Sequence, residues 1–590
     1  MREAYIKIVT TSKKGFSDPS RDRIVLLGFW TDKLEIFEGE EREILQKFTQ
    51  RFMEYDPDRI IGFKINYEEW PFIVERAKKV GLRMNLGRDK SEVKITGKYY
   101  RGIILRQAKI KGRENIDMFP IAWRDFPQLP TKELDELAEA NGVDCPKLPL
   151  DYEICEKVES GDYDFLRNYI KEYLSVVKNL AEKIIPFQEE LAKLVGLELE
   201  EQISRTVGEL VDVLVSREMK KRGIKEMKAG KVKEYGGGLV WLKEPGVYEN
   251  VAYLDFQSMY PSIIKEWNIS PETVDVDGGE VIEVEGVRHT ILRDKKGVIP
   301  QIVEDFLSKR LELKKKLKEL KGSERIRVDA QQHALKVLIN AMYGYMGWSG
   351  ASYYNRGAAE LIASLARHYI KKVRDELKEM GCDVIYIDTD GIQFTGCNVE
   401  KVADKINEKY PLTIEIEYVA EKAAFWTKKK YVHLVDGKIV GKGMEFVRKD
   451  YPKIVKEAQR KYIELMLRGD REGAKKIKEE YRNRISSGEF ELDEIYTVEQ
   501  LTKKPEEYEK ATKASVAAKI IKDMLGIELH RGTNLRIVIV KGTDGPTNRA
   551  RPIQLVSKED VDINYYLQMY DDVMKRTSEI FRKPSLKRWF

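Results

Sequence analysis

Along the first 125 residues, short apolar runs alternate with segments in which apolar residues recur every three or four positions. The run Ile24–Phe29 is typical of a buried strand. Glu41–Tyr55 and Trp70–Val80 have the period of amphipathic helices. The pattern therefore predicts a mixed α/β unit at the start of the chain.

The next hundred residues are mostly helical in pattern. The longest helical run is Tyr163–Leu197, and we expect Pro186 to kink it, because proline lacks the N–H that a helix interior uses. The glycine cluster Gly236–Gly238 then marks a break in architecture. A strand is predicted at Val251–Phe256.

Two long helices follow that strand, at Gln301–Leu320 and about Arg325–Met342, so a helical hairpin is inserted between strands. Strand patterns return at Val384–Phe394 and Tyr431–Val440. The last 140 residues are largely helical, with one strand-like patch at Leu535–Val540.

Composition narrows the class of protein. A chain of 590 residues, 42% hydrophobic and 35% charged, is too long for one core, so several packed units are expected. The net charge of +6 does not by itself indicate nucleic-acid binding. No leader or membrane-spanning run is present in the pattern, so we expect a soluble cytoplasmic protein associated with the nucleoid.

The cysteines are scattered and form no close pair. With only 5 histidines, a structural zinc site is not expected. A disulfide framework is not expected either, which is consistent with a reducing compartment. The four positions are Cys145, Cys155, Cys382 and Cys397.

The first chemical signal is VIYIDTDGIQF (Val384–Phe394), in which Asp388 and Asp390 are two residues apart. In an extended strand both carboxylates would face the same side. Carboxylates that close repel each other unless a cation neutralises them, and oxygen ligands suit Mg²⁺. An exposed hairpin tip is the alternative, because this pattern also arises by chance.

A third carboxylate strengthens the cation interpretation. In AYLDFQSMYPSII (Ala252–Ile264), Asp255 ends an apolar strand, and the residues from Ser258 onward begin a helix whose first amides can receive phosphate. A third carboxylate beside a helix start that can bind phosphate is what two-metal phosphoryl transfer requires.

With these motifs the sequence resembles family B DNA polymerases, and among them it is most similar to the archaeal members. DFQSMYPSI and YIDTDG resemble the first and third polymerase motifs of that family, and KVLINAMYGYMGW (Lys336–Trp348) resembles the second. The resemblance implies DNA-directed synthesis on a nucleic-acid primer with two Mg²⁺ ions, or Mn²⁺ in their place. It implies these catalytic metal ligands: Asp255, Asp388, Asp390 and the main-chain carbonyl of Phe256.

The same resemblance implies binding residues, several of which would otherwise be interpreted as solvated charge runs. Tyr260 would act as the steric gate against a ribose 2′-hydroxyl. The nucleotide-binding residues would be Ser258, Met259, Tyr260, Arg310, Lys314, Lys336, Asn340 and Tyr343. The DNA-binding residues would be Tyr235, Gly237 and Gly238 of a Y-x-G-G element, and Lys428, Lys429, Lys430 and Tyr431 of a K-K-R-Y element.

Family B polymerases usually carry an exonuclease domain before the polymerase. The N-terminal part of this chain resembles that domain, but it lacks most of the domain's acidic residues. Its four acidic positions are occupied here by Lys7, Val9, Glu69 and Tyr173. Two lysines, at 7 and 64, would oppose cation binding. We expect a folded but inactive exonuclease-like domain; the alternative is that real ligands such as Asp117 lie elsewhere.

The expected architecture is an α/β multidomain chain with an α+β palm: a right-hand polymerase of palm, fingers and thumb, preceded by a ribonuclease H-like, exonuclease-type domain. The family's usual N-terminal domain is expected to be missing. The expected ranges are 1–185 for the exonuclease-like domain, 186–228 for a helical linker, 229–297 and 348–450 for the palm, 298–347 for the fingers and 451–590 for the thumb with its tail.

Two further interpretations concern partners and role. In the C-terminal RKPSLKRWF, Leu586, Trp589 and Phe590 resemble a box that binds a sliding clamp, and packing of a terminal helix is the alternative. Without proofreading, low-fidelity or translesion synthesis in replication or repair is expected. A non-catalytic scaffold that binds DNA and recruits replication partners is the rival hypothesis.

Overall fold

A computed structural model describes residues 1–100, 103–129, 131–228, 234–529 and 531–582. The strands, in chain order, are β1 (Glu3–Thr10), β2 (Ile24–Trp30), β3 (Leu34–Glu38), β4 (Arg59–Gly62), β5 (Lys94–Tyr100), β6 (Ile103–Lys109), β7 (Glu114–Asp117), β8 (Val240–Leu242), β9 (Gly246–Phe256), β10 (Glu280–Val284), β11 (Val287–Ile291), β12 (Asp383–Asp388), β13 (Gly391–Thr395), β14 (Ile414–Thr427), β15 (Lys430–Val435), β16 (Lys438–Lys442), β17 (Thr497–Gln500), β18 (Asn534–Ile539) and β19 (Ala550–Pro552).

The helices follow the amphipathic patterns closely. In chain order they are α1 (Glu41–Tyr55), α2 (Glu69–Lys79), α3 (Phe119–Asp125), α4 (Leu134–Ala140), α5 (Asp151–Ser160), α6 (Tyr163–Val195), α7 (Leu199–Ile203), α8 (Val207–Lys221), α9 (Met259–Trp267), α10 (Val298–Leu317), α11 (Gly322–Gly347), α12 (Arg356–Glu379), α13 (Val399–Lys409), α14 (Lys453–Arg468), α15 (Arg471–Ser486), α16 (Leu492–Ile495), α17 (Lys513–Leu525) and α18 (Ile563–Arg582). Short 3₁₀ turns lie at Glu445–Val447, Pro505–Glu507, Ile553–Leu555 and Lys558–Asp560.

The chain divides into two compact units. The first comprises Met1–Glu189, Leu197–Ser204 and Phe490–Tyr565. The second comprises Glu190–Gly196, Arg205–Glu489 and the chain from Tyr566 onward. One division falls inside α6, which continues through Pro186.

The first unit is built on a five-stranded sheet of order β3-β2-β1-β4-β7. Strands β1, β4 and β7 are parallel, whereas β2 and β3 are antiparallel to their neighbours. Its core is aromatic: Phe29, Phe48, Phe52 and Trp70 are fully buried where α1 and α2 cover the sheet. This is the mixed α/β unit predicted for the N-terminal part.

The second unit is built on a seven-stranded sheet of order β16-β15-β14-β9-β13-β12-β8, in which the described neighbours run antiparallel. The predicted helical hairpin is present as α10 and α11. The long helix α12 is buried around most of its first half, including Leu361 and Leu365, and on one side further along, including Ile370. Strand β9 ends in the first of the motifs singled out in the sequence, and the adjacent strands β12 and β13 carry the third at the turn between them.

The predicted single strand Val384–Phe394 is a hairpin instead. Strands β12 and β13 are joined by Thr389 and Asp390, and Thr389 has a φ of 67°, in the left-handed region. Asp390 N–H donates to the Asp388 carbonyl at 2.8 Å, which closes the turn. The expectation that both carboxylates face one side of an extended strand is therefore wrong, because Asp390 lies in the turn.

A disulfide also differs from expectation. Cys382 and Cys397 are bonded to each other, while Cys145 and Cys155 are free. The two bonded residues flank β12 and β13, and antiparallel pairing of Asp383 with Thr395 brings them opposite each other. Their separation of 15 residues hides this pairing from a sequence search for close cysteine pairs.

The predicted thumb range, 451–590, is shared between the two units. Its middle part, Phe490–Tyr565, packs with the N-terminal unit, where Lys147 pairs with Asp493 at 2.7 Å. The Asn534 amide also donates to the Thr131 carbonyl at 3.1 Å. The finer palm, fingers and thumb boundaries stay a prediction. In the described residues, no helix combines the length and apolarity needed to cross a membrane.

Candidate active site

Asp255 lies near the end of β9, in the middle of the seven-stranded sheet. Its cross-strand neighbours are Gly391 of β13 on one side and Glu415 of β14 on the other. The Oδ1 atom of Asp255 is buried and has no hydrogen-bond partner among the described residues. An unpaired buried carboxylate oxygen is costly, so this atom is a candidate ligand for a bound cation.

Asp390 lines the same cavity as Asp255. The Asp390 carbonyl accepts a hydrogen bond from the Phe256 N–H at 3.0 Å, which ties the hairpin turn to the end of β9. The cavity has a volume of about 390 Å³. Its lining residues are Asp255, Phe256, Gln257, Ser258, Met259, Tyr260, Pro261, Arg310, Lys314, Lys336, Asn340, Asp390, Glu415 and Glu417.

The acidic part of this cavity carries uncompensated negative charge. Burial raises the pKa of Asp255 to about 7, with further increases from Asp390, Glu417 and Glu415, while Lys336 opposes the shift. The pKa of Asp390 is raised by burial and by Asp388. Both shifts are in the direction that a bound cation would reverse, because a cation favours the ionised carboxylates.

Asp388 has a different environment. Its two carboxylate oxygens accept from the ammonium groups of Lys429 and Lys442, the latter at 2.8 Å. Burial alone would raise the pKa of Asp388, but these two hydrogen bonds hold it below its ordinary value. Asp388 is not among the residues that line the cavity.

The joint metal binding by three carboxylates stays a prediction, because the lining of the cavity includes Asp255 and Asp390 but not Asp388. Within the described ranges, no group of three or more His, Cys, Asp or Glu side chains is arranged to hold a metal ion. The structure brings together Asp255 and Asp390, whereas Asp388 is held by lysines.

Helices α10 and α11 place the predicted triphosphate-binding side chains on the cavity wall. Arg310 and Lys314 come from α10, and Lys336 and Asn340 from α11. Arg310 is only 8% exposed, and burial lowers its pKa. A buried guanidinium that faces a polar cavity is well placed to bind an anion.

Tyr260 and Tyr343 form a stacked pair at the side of the cavity. Their ring centroids are 4.3 Å apart and their planes differ by 4°. Burial raises the pKa of Tyr260 to about 12. Tyr343 also shares a hydrogen bond with Tyr235, so the predicted gate, the second motif and the Y-x-G-G element are linked through three phenol rings.

Of the two predicted DNA-binding glycines, Gly238 lies against the turn between β12 and β13. A Cβ atom on Gly238 would be 2.7 Å from Cγ2 of Thr389, whereas one on Gly237 would meet nothing within 4 Å. Arg367 donates to the Gly236 and Gly237 carbonyls at 2.7 and 2.8 Å. Gly238 therefore has a packing role that the sequence did not indicate, and Gly237 leaves the backbone open to a ligand.

The K-K-R-Y-like residues are divided between surface and core. Lys428 and Lys429 are both exposed, and Lys429 also pairs with Asp388, while the half-buried Lys430 pairs with Glu445 at 2.7 Å. Tyr431 is 6% exposed and stacks on His433 at 4.9 Å. The aromatic residue thus supports the sheet from within, rather than presenting its ring at the surface.

Comparison with known proteins identifies the family to which the chain belongs. The family described as "DNA polymerase family B" matches residues 199–583, which is more than half of the chain. The chain belongs to DNA polymerase family B. The polymerase also matches the family's exonuclease domain over residues 30–137.

Archaeal relatives of the polymerase support the same assignment. The DNA polymerase of Archaeoglobus fulgidus is 33% identical over 93% of this chain and 71% of its own length. DNA polymerase 2 of Aeropyrum pernix is 31% identical over 96% of this chain and 72% of its own length. The family B polymerase structure from Pyrobaculum calidifontis covers 100% of this chain and 79% of that one, with a TM-score of 0.79 and 28% identity.

Membership has direct consequences for activity. The chain is a DNA-directed DNA polymerase of archaeal type, with polymerase and exonuclease-type domains, and its substrates are a primer–template DNA and deoxynucleoside triphosphates. The expected fold class is confirmed. The rival hypothesis of a non-catalytic scaffold is not supported.

Two acidic residues of the polymerase site escaped sequence reasoning. Glu415 and Glu417 both line the cavity, and both raise the pKa of Asp255. They lie in the alternating run IEIEY, which is typical of the polar face of an ordinary edge strand. Only the pairing of Glu415 with Asp255 across β14 and β9 reveals their position.

The exonuclease-type domain contains a buried ion pair at the expected acidic positions. The Lys7 ammonium lies 2.7 Å from Oε1 of Glu69, and these side chains are 11% and 1% exposed. Burial by itself would lower the pKa of Lys7, but Glu69 and two nearby phenols keep it well above its ordinary value. The same ammonium lies 4.5 Å from the centroid of the Tyr173 ring.

The remaining positions of this domain are also occupied by structural contacts. Val9 is 3% exposed. Lys64 pairs with Glu133 at 2.7 Å. Asp117, the alternative ligand, accepts from the backbone N–H groups of Lys64, Asn66 and Phe119, each at 2.9 Å. Its carboxylate therefore organises a loop.

The sliding-clamp hypothesis concerns residues that lie outside the described ranges. They are Leu586, Trp589 and Phe590.

Proposed function

We propose that Asp255 and Asp390, with the main-chain carbonyl of Phe256, hold the divalent cations of the polymerase, Mg²⁺ or Mn²⁺. The proposal is supported by the unpaired buried Oδ1 of Asp255 and by its raised pKa. An all-oxygen donor set is what Mg²⁺ prefers. When bound, the cations would neutralise developing negative charge and activate the attacking hydroxyl.

The chain's own residues bind and orient the incoming nucleotide in this proposal. Arg310, Lys314 and Lys336 face the triphosphate, and the first amides of α9 receive phosphate oxygens because no side chain caps them. The primer 3′-hydroxyl attacks the α-phosphate and pyrophosphate departs. Tyr260 closes the cavity against a ribose 2′-hydroxyl, and Tyr343 packs on the nascent base pair.

Asp388 acts as a positioning residue in this account. Its carboxylate holds the ammonium groups of Lys429 and Lys442 together, although two like charges would otherwise repel each other. Both lysines, with Lys428 and the open backbone at Gly237, then provide the surface that meets primer phosphates.

Nucleotide incorporation by wild type and Asp390→Ala tests the catalytic assignment. We expect Asp390→Ala to lower the rate by at least about 10³-fold, because charge stabilisation by a bound cation is worth several kcal/mol. Asp383→Ala, on the same hairpin but paired with Lys243, is the matched control and should keep most activity. Equal rates for Asp390→Ala and wild type would refute the assignment.

We also propose that the polymerase does not proofread. The observation that supports this is the Lys7–Glu69 ion pair, because its ammonium compensates the acid that would otherwise bind a cation. Lys64 and Tyr173 add a second cation and a neutral phenol to the same region. An exonuclease of this type needs several carboxylates around two metal ions.

A primer with a mismatched 3′ end, incubated with Mg²⁺ and no nucleotides, tests the absence of proofreading. The expected result is a primer of unchanged length. Shortening of the primer that disappears in Asp117→Ala, while polymerase activity is retained, would show that a working nuclease centre exists.

A polymerase that cannot excise a mispair extends it or dissociates from it. We therefore propose low-fidelity or translesion synthesis, supported by the same ion pair. Primer extension across an abasic site and a deaminated base should give products beyond the lesion. A complete stop one nucleotide before every lesion would contradict the proposal.

The proposal of a sliding-clamp partner is supported by the sequence of the C-terminal tail alone. Deleting Leu586–Phe590 should abolish stimulation of synthesis by a clamp and leave clamp-free synthesis unchanged. Clamp stimulation of equal size with and without the tail would refute it.

A further inference from the structure

A second polar cavity lies among the C-terminal helices of the second unit. Helices α14, α15 and α18 border an open cavity of about 220 Å³, and none of the lining residues is shared with the catalytic cavity. The floor is aromatic, with the Tyr462 and Phe581 rings 6.2 Å apart. The charged wall consists of Arg471, Lys475, Lys478 and Arg582.

The three cations on α15 share one face of the helix. Arg471, Lys475 and Lys478 are separated by four and three residues, so their side chains extend over the same side. Arg582, at the end of α18, faces the cavity from the other helix. In the part of the chain that the structure describes, none of these four side chains has an ion-pair partner.

The neighbouring part of the same helix pair shows a different arrangement. There, Arg482 of α15 faces an acid on α18, Asp571, with N–O distances of 2.9 and 3.0 Å. At the cavity, α18 contributes Ser578 and Arg582 instead. Helices α15 and α18 therefore pair opposite charges at Arg482 and Asp571, whereas at the cavity they bring positive charges together.

Four converging cations repel one another, and an apolar floor strengthens that repulsion because it lowers the local dielectric. A bound anion would attract all four cations and so offset their mutual repulsion. Two guanidinium groups and two ammonium groups suit an oxyanion with several acceptors, which guanidinium can bind through paired hydrogen bonds.

We propose that this cavity binds phosphate groups, either of a nucleic-acid backbone or of free pyrophosphate, at a site separate from the catalytic cavity. The proposal rests on the cluster of cations that two helices place, without ion-pair partners among the described residues, around an aromatic floor. Its ligand chemistry is the phosphate oxyanion, and the two sources are distinguished by experiment.

The first arm measures the affinity for primer–template DNA as a function of salt. If a backbone phosphate occupies the cavity, Lys475→Gln and Lys478→Gln should each reduce the slope of log affinity against log salt by about 1. Lys476→Gln is the matched control, because it removes an exposed lysine of the same helix that does not line the cavity. Incorporation at saturating DNA should be unchanged in each variant, which separates this site from the catalytic proposal.

The second arm measures the melting temperature in pyrophosphate against chloride at equal ionic strength. If free pyrophosphate is the ligand, the wild type and Lys476→Gln gain stability, whereas Lys475→Gln and Lys478→Gln lose that gain while their DNA salt slopes stay at the wild-type value. The proposal is overturned if Lys475→Gln and Lys478→Gln match Lys476→Gln both in the salt slope of DNA affinity and in the gain of melting temperature with pyrophosphate.

Discussion

At the scale of single residues, two buried groups of this polymerase show two ways in which the cost of burying a charge is avoided. Lys7 and Glu69 illustrate pairing, since each leaves the other uncompensated if it is removed. His433 illustrates loss of charge: it is fully buried, and burial lowers its pKa to about 3. Its Nδ1 shares a 2.7 Å hydrogen bond with the Tyr418 hydroxyl. Both arrangements lead to measurable predictions.

Removing one member of the Lys7–Glu69 pair should be more harmful than removing both. Lys7→Met leaves Glu69 charged and buried, so we expect the unfolding free energy of the first unit to fall by about 3–5 kcal/mol. Lys7→Met combined with Glu69→Leu should recover most of that loss. Calorimetry of the domain transition measures both effects, and a double variant as unstable as the single one would refute the ion-pair account.

His433 predicts a defined pH dependence of stability. In the unfolded chain this histidine binds a proton near its ordinary pKa of 6.5, whereas in the folded protein the pKa is about 3. The contribution of His433 to the free energy of unfolding is thus complete above pH 6.5. It is lost as the pH falls towards 3, by up to about 1.4 kcal/mol per pH unit. His433→Phe should flatten the stability curve in that window, and an unchanged slope would contradict the prediction.

At the scale of elements, the β12–β13 hairpin carries the turn of the active site at one end and a disulfide at the other. Cys382→Ser should lower stability by about 3 kcal/mol, since the bond closes a loop of 15 residues. A reductant should lower the melting temperature of the wild type and leave Cys382→Ser unchanged. The control is Cys145→Ser, which removes a free thiol, and an equal loss in that variant would refute the assignment.

The same hairpin shows why some elements can be predicted from sequence and others cannot. The apolar period of helix α1 is local, so the sequence predicts the bounds that this helix has. The turn at Thr389 and Asp390 enters the sequence analysis only as the alternative of a hairpin tip, because the run around it is apolar on both sides and carries no glycine before Gly391. The disulfide and the position of Glu415 depend on cross-strand pairing, which no local pattern encodes.

At the scale of the whole molecule, the order of motifs indicates the family, and the polymerase centre is largely predictable from it. Asp255, Asp390 and the cation-bearing helices occur together as expected. The packing of Phe490–Tyr565 with the N-terminal unit is not predictable, because its contacts connect residues hundreds of positions apart. The lysines that hold Asp388 are visible in sequence only as a charge run.

The central claim is that Asp255 and Asp390 hold the catalytic cations while Asp388 holds lysines. The most direct test is the rate of nucleotide incorporation as a function of Mg²⁺ concentration for wild type, Asp255→Asn and Asp388→Asn. The account predicts a loss of at least about 10³-fold for Asp255→Asn at all concentrations. For Asp388→Asn it predicts weaker DNA binding with an unchanged Mg²⁺ requirement. A Mg²⁺ requirement shifted as strongly by Asp388→Asn as by Asp255→Asn would contradict it.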